Sequence, residues 1–274
     1  MMIAVAISGG PCGGEPDTSV LLQIAALVNE LAGDPAHVVP WRDDDGRLAD
    51  EGAHRDEAAA HESEAGRVAV VIVPATRVPL IRRSADAGPI VVVTDDDLAT
   101  VLLAAKTLTA LARAGHPSAA GRVVLGGAGR LPNLCPLLMA AGIGDLTMWN
   151  QRNAAVTALP DVAYGAHVVI DLIAGWPARH GGRATPQTCS TEPTEPVVIK
   201  PDYDRSRHLL LPGLVRALAR NPTAEVKIDV LHACVLALVD ATSPDRDLPD
   251  TGSLALTETV AAYAGRILSE KLVE

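Results

Sequence analysis

The sequence predicts an α/β fold in which parallel sheets are covered by helices. Eight short apolar runs, most of them rich in valine and isoleucine, show no polar alternation, which is typical of strands buried on both faces. Helical stretches separate these runs, as expected of parallel strands joined by crossover helices. The runs are residues 3–7, 37–41, 68–73, 90–94, 122–126, 146–149, 167–171 and 196–200. A length of 274 residues suffices for two such domains or for one large one.

The helices expected between and after these strands differ in character. Residues 17–33 read as an apolar helix, and residues 97–115 form the most apolar helix, which we expect to run between two domains. The end of the sequence predicts two further amphipathic helices, over residues 223–239 and 254–270. Residues 180–195 are rich in Gly, Pro, Ser and Thr and predict a flexible loop.

Composition narrows the possible partners and the compartment. The formal net charge of −10, with no basic stripe, argues against a nucleic-acid or anionic-membrane partner. The four cysteines form no CxxC pair, which predicts neither a disulfide framework nor a zinc site and suits a reducing compartment. We find no signal peptide and no apolar run of about eighteen residues. The sequence therefore predicts a cytoplasmic protein.

The stretch from residue 123 to residue 151 reads as strand, glycine turn, helix and strand, which is how a dinucleotide-binding βαβ unit begins. Gly127 and Gly129 occupy the first two glycine positions, which permit the turn and the close approach of a pyrophosphate. Pro132 stands in place of the third glycine and removes an N–H group there. Asn150 stands where an acid would bind the ribose. We expect the turn to form with a weakened nucleotide site, or to be kept for the fold alone.

Two clusters of ionisable residues are candidate sites. Three aspartates, residues 95–97, stand between a strand and the apolar helix, where they could bind a cation or cap the helix. Residues 200–208, KPDYDRSRH, crowd ionisable groups at a strand end, although a solvated loop with internal ion pairs is the alternative. The candidate catalytic residues are Asp95, Asp96, Lys200, Tyr203, Arg207 and His208.

Taken in order, four segments of the sequence resemble the malic enzymes, in particular the shorter bacterial type. The segments are residues 5–33, 88–111, 123–143 and 202–220. The resemblance covers nearly the whole chain and starts well inside the family's first domain. It implies two α/β domains, the second a Rossmann-type NAD(P)-binding domain, with C-terminal helices packing back on the first. The boundaries expected on this basis are residues 1–96, 97–222 and 223–274.

The resemblance also shows which family positions have changed. Malic enzymes bind a divalent metal through a Glu-Asp pair and a further aspartate, and a lysine and a tyrosine handle protons. Pro74 and Ala75 occupy the places of the pair, whereas Asp96 matches the remaining metal ligand. Ile24 takes the place of the lysine, and the tyrosine belongs to a segment that precedes this sequence. The resemblance therefore argues against a divalent metal site.

The substrate-binding asparagine pair of the family is replaced as well, by Ser206 and Arg207. We therefore expect no oxidative decarboxylation of malate and, at most, weak NAD(P) binding. The protein should instead bind a small acidic ligand, a nucleotide or a protein partner, and should form a homodimer through residues 17–33 and the C-terminal helices. The alternative is a repurposed enzyme of the oxidoreductase or lyase type that acts on another carboxylated substrate in a specialised pathway.

Overall fold

A computed structural model of the protein describes residues 3–7, 36–40, 68–73, 90–176, 195–221 and 225–270. These residues fall into two compact units. The first unit combines residues 1–99, 202–241 and 249–274, and the second combines residues 100–201 and 242–248. The domain boundaries expected from the sequence stay a prediction.

Eight strands are present in the described ranges. They are β1 (Ile3–Ile7), β2 (Ala36–Pro40), β3 (Val68–Val73), β4 (Ile90–Thr94), β5 (Arg122–Gly126), β6 (Asp145–Trp149), β7 (Val168–Asp171) and β8 (Val197–Ile199). Every predicted strand is present, and none of its ends differs by more than one residue. These strands and helices confirm the α/β class. Continuous runs of β-branched residues fit a sheet that is covered on both faces.

Six α-helices are present in the same ranges. They are α1 (Asp95–Arg113), α2 (Leu134–Ala140), α3 (Leu159–Val162), α4 (Tyr203–Arg220), α5 (Ile228–Asp240) and α6 (Leu254–Glu270). The division between the two compact units falls inside α1, between Ala99 and Thr100. None of the helices in the described part of the chain is long and apolar enough to cross a membrane.

Two predicted helices have different boundaries in the structure. The helix expected over residues 97–115 extends from Asp95 to Arg113, and it begins early because Thr94 caps it. The helix expected from residue 223 begins only at Ile228, since Lys227 has an extended backbone, with φ −106° and ψ 177°. The helix predicted over residues 17–33 lies outside the described residues, as does the loop predicted from residue 180, except for its last residue, Glu195.

The sheet of the first unit has the strand order β2-β1-β3-β4, and all of its pairings are parallel. Helix α6 packs against both α4 and α5 in this unit. Helix α6 approaches α4 closely at Gly213, where a Cβ atom would lie 2.7 Å from the backbone oxygen of Thr257. Only a residue without a side chain fits there, so Gly213 sets the spacing of the two helices.

The sheet of the second unit has the strand order β6-β5-β7-β8 and is also parallel throughout. Its two central strands, β5 and β7, are almost entirely buried. A cluster of apolar side chains packs on this sheet around Trp149, with Leu159 and Val169 among its members. The indole Nε1 of Trp149 donates to the Thr157 carbonyl at 2.9 Å, so its polar atom is satisfied.

The two cysteines in the described part of the chain, Cys135 and Cys234, are both free thiols. Cys234 is buried in α5, and this burial raises the pKa of its thiol to about 12. Because the thiolate is the reactive form, Cys234 acts as a small apolar packing residue rather than as a nucleophile.

Candidate functional site

The glycine turn after β5 is held by its own backbone geometry. Gly127 adopts φ +86°, in the left-handed region, and its N–H donates to the Trp149 carbonyl at 2.8 Å. A Cβ atom at this position would lie 2.5 Å from Cγ2 of Ile173. At Gly129, by contrast, a Cβ atom would meet nothing within 4 Å. Gly127 is therefore required by the turn, whereas Gly129 leaves open space beside it.

Pro132 changes the start of the helix that follows this turn. Residues Ala128–Arg130 form a short 3₁₀ turn, and Leu131 then takes an extended conformation with φ −127° and ψ 85°. A residue before proline is disfavoured from the helical region, because the proline ring clashes with it. Helix α2 consequently begins only at Leu134. The Pro132 side chain is exposed and does not line the pocket described next, so the proline acts through the backbone and not through its bulk.

A pocket of about 480 Å³ opens at the carboxyl ends of β5, β6 and β7. In open parallel sheets, ligands bind at the carboxyl ends of strands, where the strand order reverses. In the order β6-β5-β7-β8 this reversal lies between β5 and β7, beside the glycine turn. The residues that line the pocket are Gly127, Gly129, Arg130, Asn150, Gln151, Arg152 and Ile173. The three residues predicted to bind a cofactor thus line one pocket.

The far wall of the pocket is shaped by a buried aspartate that the sequence reasoning missed. Asp171 ends β7, and its carboxylate accepts the backbone N–H groups of Ile173, Gly175 and Trp176 at 3.0–3.2 Å. These hydrogen bonds fold the loop so that Ile173 meets the glycine turn. The signal in the sequence is an aspartate that ends a buried strand shortly before a glycine, which is typical of an Asx-type turn.

The two arginines of the pocket were not singled out from the sequence either. Arg130 follows the glycine turn, and its Nη1 donates to the Leu172 carbonyl at 3.1 Å. Arg152 follows β6 by three residues and is exposed. The pocket lining contains no Asp or Glu, so the charged side chains in it are both cationic.

The three aspartates that open α1 have three different environments. Thr94 and Asp97 form a reciprocal cap: the Thr94 N–H and hydroxyl donate to the Asp97 carboxylate at 3.2 and 2.6 Å. The Asp97 N–H in turn donates to Thr94 Oγ1 at 3.0 Å. This arrangement satisfies two backbone donors at the start of the helix. Asp97 is therefore a capping residue, as one reading of the sequence expected.

Asp95 forms a buried ion pair with Arg207. The Arg207 Nε and Nη2 atoms donate to the two carboxylate oxygens of Asp95 at 2.8 and 2.7 Å, and the side chains are only 7% and 1% exposed. Nη1 donates to the exposed Asp204 at 3.3 Å. Burial lowers the pKa of Arg207, but hydrogen bonds and charge from Asp95, with charge from Asp204, outweigh it and raise that pKa above its ordinary value. All three guanidinium nitrogens are thus engaged within the chain.

Asp96 is the aspartate of this group that matches a metal ligand in the resemblance. Burial and the negative charges of Asp95 and Asp97 raise the pKa of its carboxyl group. In the ranges that the structure describes, no three His, Cys, Asp or Glu side chains are arranged to hold a metal ion. Pro74, Ala75 and Ile24, which replace the other metal ligands and the lysine, lie outside those ranges.

Residues 203–208 of the segment KPDYDRSRH form the start of α4, and residues 200–202 precede the helix. Asp202 caps α4 by accepting the Arg205 N–H at 3.0 Å, and the Ser206 hydroxyl donates to the Tyr203 carbonyl at 2.7 Å. His208 Nδ1 lies 2.8 Å from the Asp204 carbonyl, one turn earlier. These contacts bind the segment to its own backbone.

The structure brings only some of the predicted catalytic residues together. Asp95 and Arg207 are in direct contact, and Asp96 adjoins Asp95. Tyr203 and His208 lie in the first two turns of α4, in the same compact unit. The exposed Lys200 follows β8 and belongs to the second unit. Their catalytic roles stay predictions.

Comparison with solved structures identifies this architecture. The malic enzyme of Entamoeba histolytica matches 98% of this chain and 69% of its own, with a TM-score of 0.62 and 16% identity. The malic enzyme of Pyrococcus horikoshii matches 98% of this chain and 77% of its own, with a TM-score of 0.61 and 14% identity. This chain has a malic-enzyme-like fold. The NAD-dependent malic enzyme of Thermotoga maritima agrees, with a TM-score of 0.58, 13% identity, and coverage of 96% and 84%.

The malic-enzyme-like fold extends over nearly the whole chain, whereas the sequence has diverged widely. Neither a protein-family model nor a curated protein matches the chain. Identities of 13–16% establish the fold alone, because a fold can carry many chemistries. Function must therefore be argued from the residues of the pocket and of the buried ion pair.

Proposed function

We propose that this protein is a nucleotide-binding, malic-enzyme-like protein that does not oxidatively decarboxylate malate. The observation that carries the proposal is the pocket at the carboxyl ends of β5, β6 and β7, where a glycine turn meets side chains that can hydrogen-bond a nucleotide. In this proposal the second unit is a Rossmann-type nucleotide-binding domain, and the first unit is a divergent counterpart of the first malic enzyme domain. The net charge of −10 of the whole chain argues against nucleic acid and anionic membranes as partners.

The residues of the pocket fit the adenosine ribose of NAD(P) better than its pyrophosphate. Asn150 is exposed directly after β6, where its amide can hydrogen-bond a ribose hydroxyl, and Gly129 leaves open space in the pocket. A pyrophosphate, however, binds best where a long helix begins immediately after the turn. Here α2 has seven residues and begins four residues after Arg130. We therefore propose binding that is dominated by the adenosine half of the cofactor.

We expect NAD(H) to bind with a dissociation constant no lower than about 0.1 mM. Asn150 replaces a charge-assisted hydrogen bond to the ribose by a neutral one, and the delayed start of α2 weakens the phosphate contacts. Calorimetric titration of the purified protein with NAD+ and NADH measures this constant. Low-micromolar affinity would contradict the prediction and would make an active oxidoreductase the leading function.

The buried ion pair supports the loss of malate chemistry. Arg207, at a position where malic enzymes bind substrate, directs each of its guanidinium nitrogens to a carboxylate of the chain. A guanidinium engaged in this way does not offer a bidentate site to a substrate carboxylate. Arg207 thus has internal partners, which supports the proposed loss of substrate binding at this position.

We expect a turnover of malate below about 1 s⁻¹ with Mn²⁺ and either NAD+ or NADP+, which is the low end for ordinary enzymes. Steady-state measurement of nicotinamide reduction at 340 nm checks this, with the Thermotoga maritima enzyme assayed in parallel as the positive control. Turnover above that rate would sink the proposal, because the chain would then perform the reaction without the family's residues.

A repurposed enzyme remains the second candidate, and one observation favours it. Asp96 is half-buried with a raised pKa, beside the Asp95–Arg207 pair, and such carboxyl groups often mark sites. Native mass spectrometry of the freshly purified protein would detect a co-purifying ligand. A bound small carboxylic acid that Asp96→Asn removes would favour this candidate over the first.

We also expect the protein to be a homodimer. Helices α5 and α6 leave large apolar side chains exposed, at Ile228, Leu236 and Leu254. Covering such surface with a second copy of the same chain is the commonest solution in proteins. Multi-angle light scattering at micromolar concentration should give twice the mass of the chain, and a monomeric mass would refute the proposal.

A further inference from the structure

The charge of the nucleotide pocket is opposite in sign to that of the whole chain. The protein carries a formal net charge of −10, yet the two charged side chains that line the pocket are Arg130 and Arg152. The remaining lining residues are neutral, and two of them, Asn150 and Gln151, carry amide side chains. A pocket with this lining favours a negatively charged group over the neutral hydroxyl of a ribose.

The two arginines line the pocket in which the adenosine ribose would lie. The backbone hydrogen bond from Gly127 to Trp149 joins the end of β5 to the end of β6, so the residues after each strand face one pocket. An acid after the second strand of such a unit accepts the ribose 2′-hydroxyl, whereas an arginine nearby accommodates a 2′-phosphate. Here Asn150 stands in the acid position, and Arg152 follows two residues later.

We propose that this pocket selects adenosine nucleotides that carry a phosphate on the ribose 2′-oxygen, with Arg152 as the residue that determines this specificity. The inference rests on the proposed nucleotide-binding function and names the class of nucleotide. Arg130 assists by adding positive charge at the mouth of the pocket, where its hydrogen bond to the Leu172 carbonyl holds the guanidinium in place. Arg152 donates to the phosphate, because a guanidinium matches two phosphate oxygens at once.

The preference is expected to be about tenfold, which corresponds to ~1.4 kcal/mol. Arg152 is exposed, so solvent and salt screen its charge, and a larger factor would need a buried guanidinium. The preference should decrease as the salt concentration rises, because the contact is between opposite charges. The same increase in salt concentration should lower the affinity for a ligand without the 2′-phosphate much less.

Isothermal titration of the full chain with three small probes tests the inference. The probes are 5′-AMP, 2′,5′-ADP and 3′,5′-ADP, of which the last carries its extra phosphate on the neighbouring oxygen, as coenzyme A does. We expect 2′,5′-ADP to bind about tenfold more tightly than 5′-AMP, and 3′,5′-ADP to bind less tightly than its 2′ isomer. Equal affinity of 5′-AMP and 2′,5′-ADP would overturn the selectivity, while the nucleotide-binding function would stand. No binding of any probe at millimolar concentration would overturn both.

Three variants separate the role of Arg152 from general electrostatics. Arg152→Gln should lower the affinity for 2′,5′-ADP more than that for 5′-AMP, so that the preference falls to about twofold or less. Arg152→Lys retains the charge and should keep part of the preference. Arg220→Gln removes an exposed arginine from the other compact unit and should keep the preference of the parent protein. If Arg152→Gln and Arg220→Gln lower the preference equally, net charge is the cause and Arg152 is not the specificity residue.

Discussion

Arg207→Met should lower the free energy of unfolding by about 3–5 kcal/mol, the loss typical of removing one partner from a buried ion pair. The substitution leaves the Asp95 carboxyl group buried, only 1% exposed, and without the two guanidinium hydrogen bonds that satisfy it. Methionine replaces the aliphatic part of the arginine side chain, so the packing of that part is retained. Urea unfolding followed by circular dichroism measures the difference.

Two further variants identify the cause of this loss. The double variant Arg207→Met with Asp95→Leu removes both charges and should recover most of the stability, since an apolar pair replaces an ion pair at little or no cost. Asp204→Ala removes only the exposed partner of Arg207 at 3.3 Å and should change stability by less than about 1 kcal/mol. If the double variant is no more stable than Arg207→Met, then lost packing, and not an unpaired carboxylate, explains the effect.

The pH dependence of this ion pair has a definite sign. A cationic group whose pKa is raised on folding stabilises the folded state below its unfolded pKa, and the stabilisation disappears only as pH rises through the folded pKa. The pKa of Arg207 is raised above an already high ordinary value. The arginine therefore stays charged over the whole working range, and titration of Arg207 should cause no loss of stability near neutral pH.

The strands could be predicted from the sequence because their signal is local. A strand buried on both faces needs apolar residues at every position, and β5 and β7 meet that need with valine, leucine and isoleucine. The late start of α2 also has a local cause, since Pro132 acts on the adjacent residue Leu131. Features that depend on residues adjacent in the sequence can therefore be predicted from it.

The ion pair and the composition of the pocket could not be predicted in the same way. Asp95 and Arg207 are separated by 112 residues, and neither residue has a neighbour in the sequence that reveals the other. Arg130 and Arg152 meet in one pocket because β5 and β6 are parallel partners, which no motif expresses. The sequence identified the glycine turn and Asn150, but the charge of the site depends on residues that only the fold brings together.

Gly213→Ala is expected to lower the free energy of unfolding by about 1–3 kcal/mol, the usual cost of forcing atoms into a filled core. The new Cβ atom would lie 2.6 Å from the Val260 Cβ and 2.7 Å from the Thr257 backbone oxygen. A flexible side chain could move aside, but a backbone oxygen moves only with the helix. The contact between α4 and α6 would therefore have to open.

Gly265→Ala is the matched control for this prediction. Gly265 lies inside α6, and a Cβ atom there meets nothing within 4 Å. Both substitutions replace a helical glycine, so both gain the ~1 kcal/mol by which alanine favours a helix, and the difference between the variants isolates the steric term. Gly265→Ala should raise the midpoint of urea unfolding, whereas Gly213→Ala should lower it. If both variants gain stability, α4 and α6 are not held at the distance that Gly213 sets.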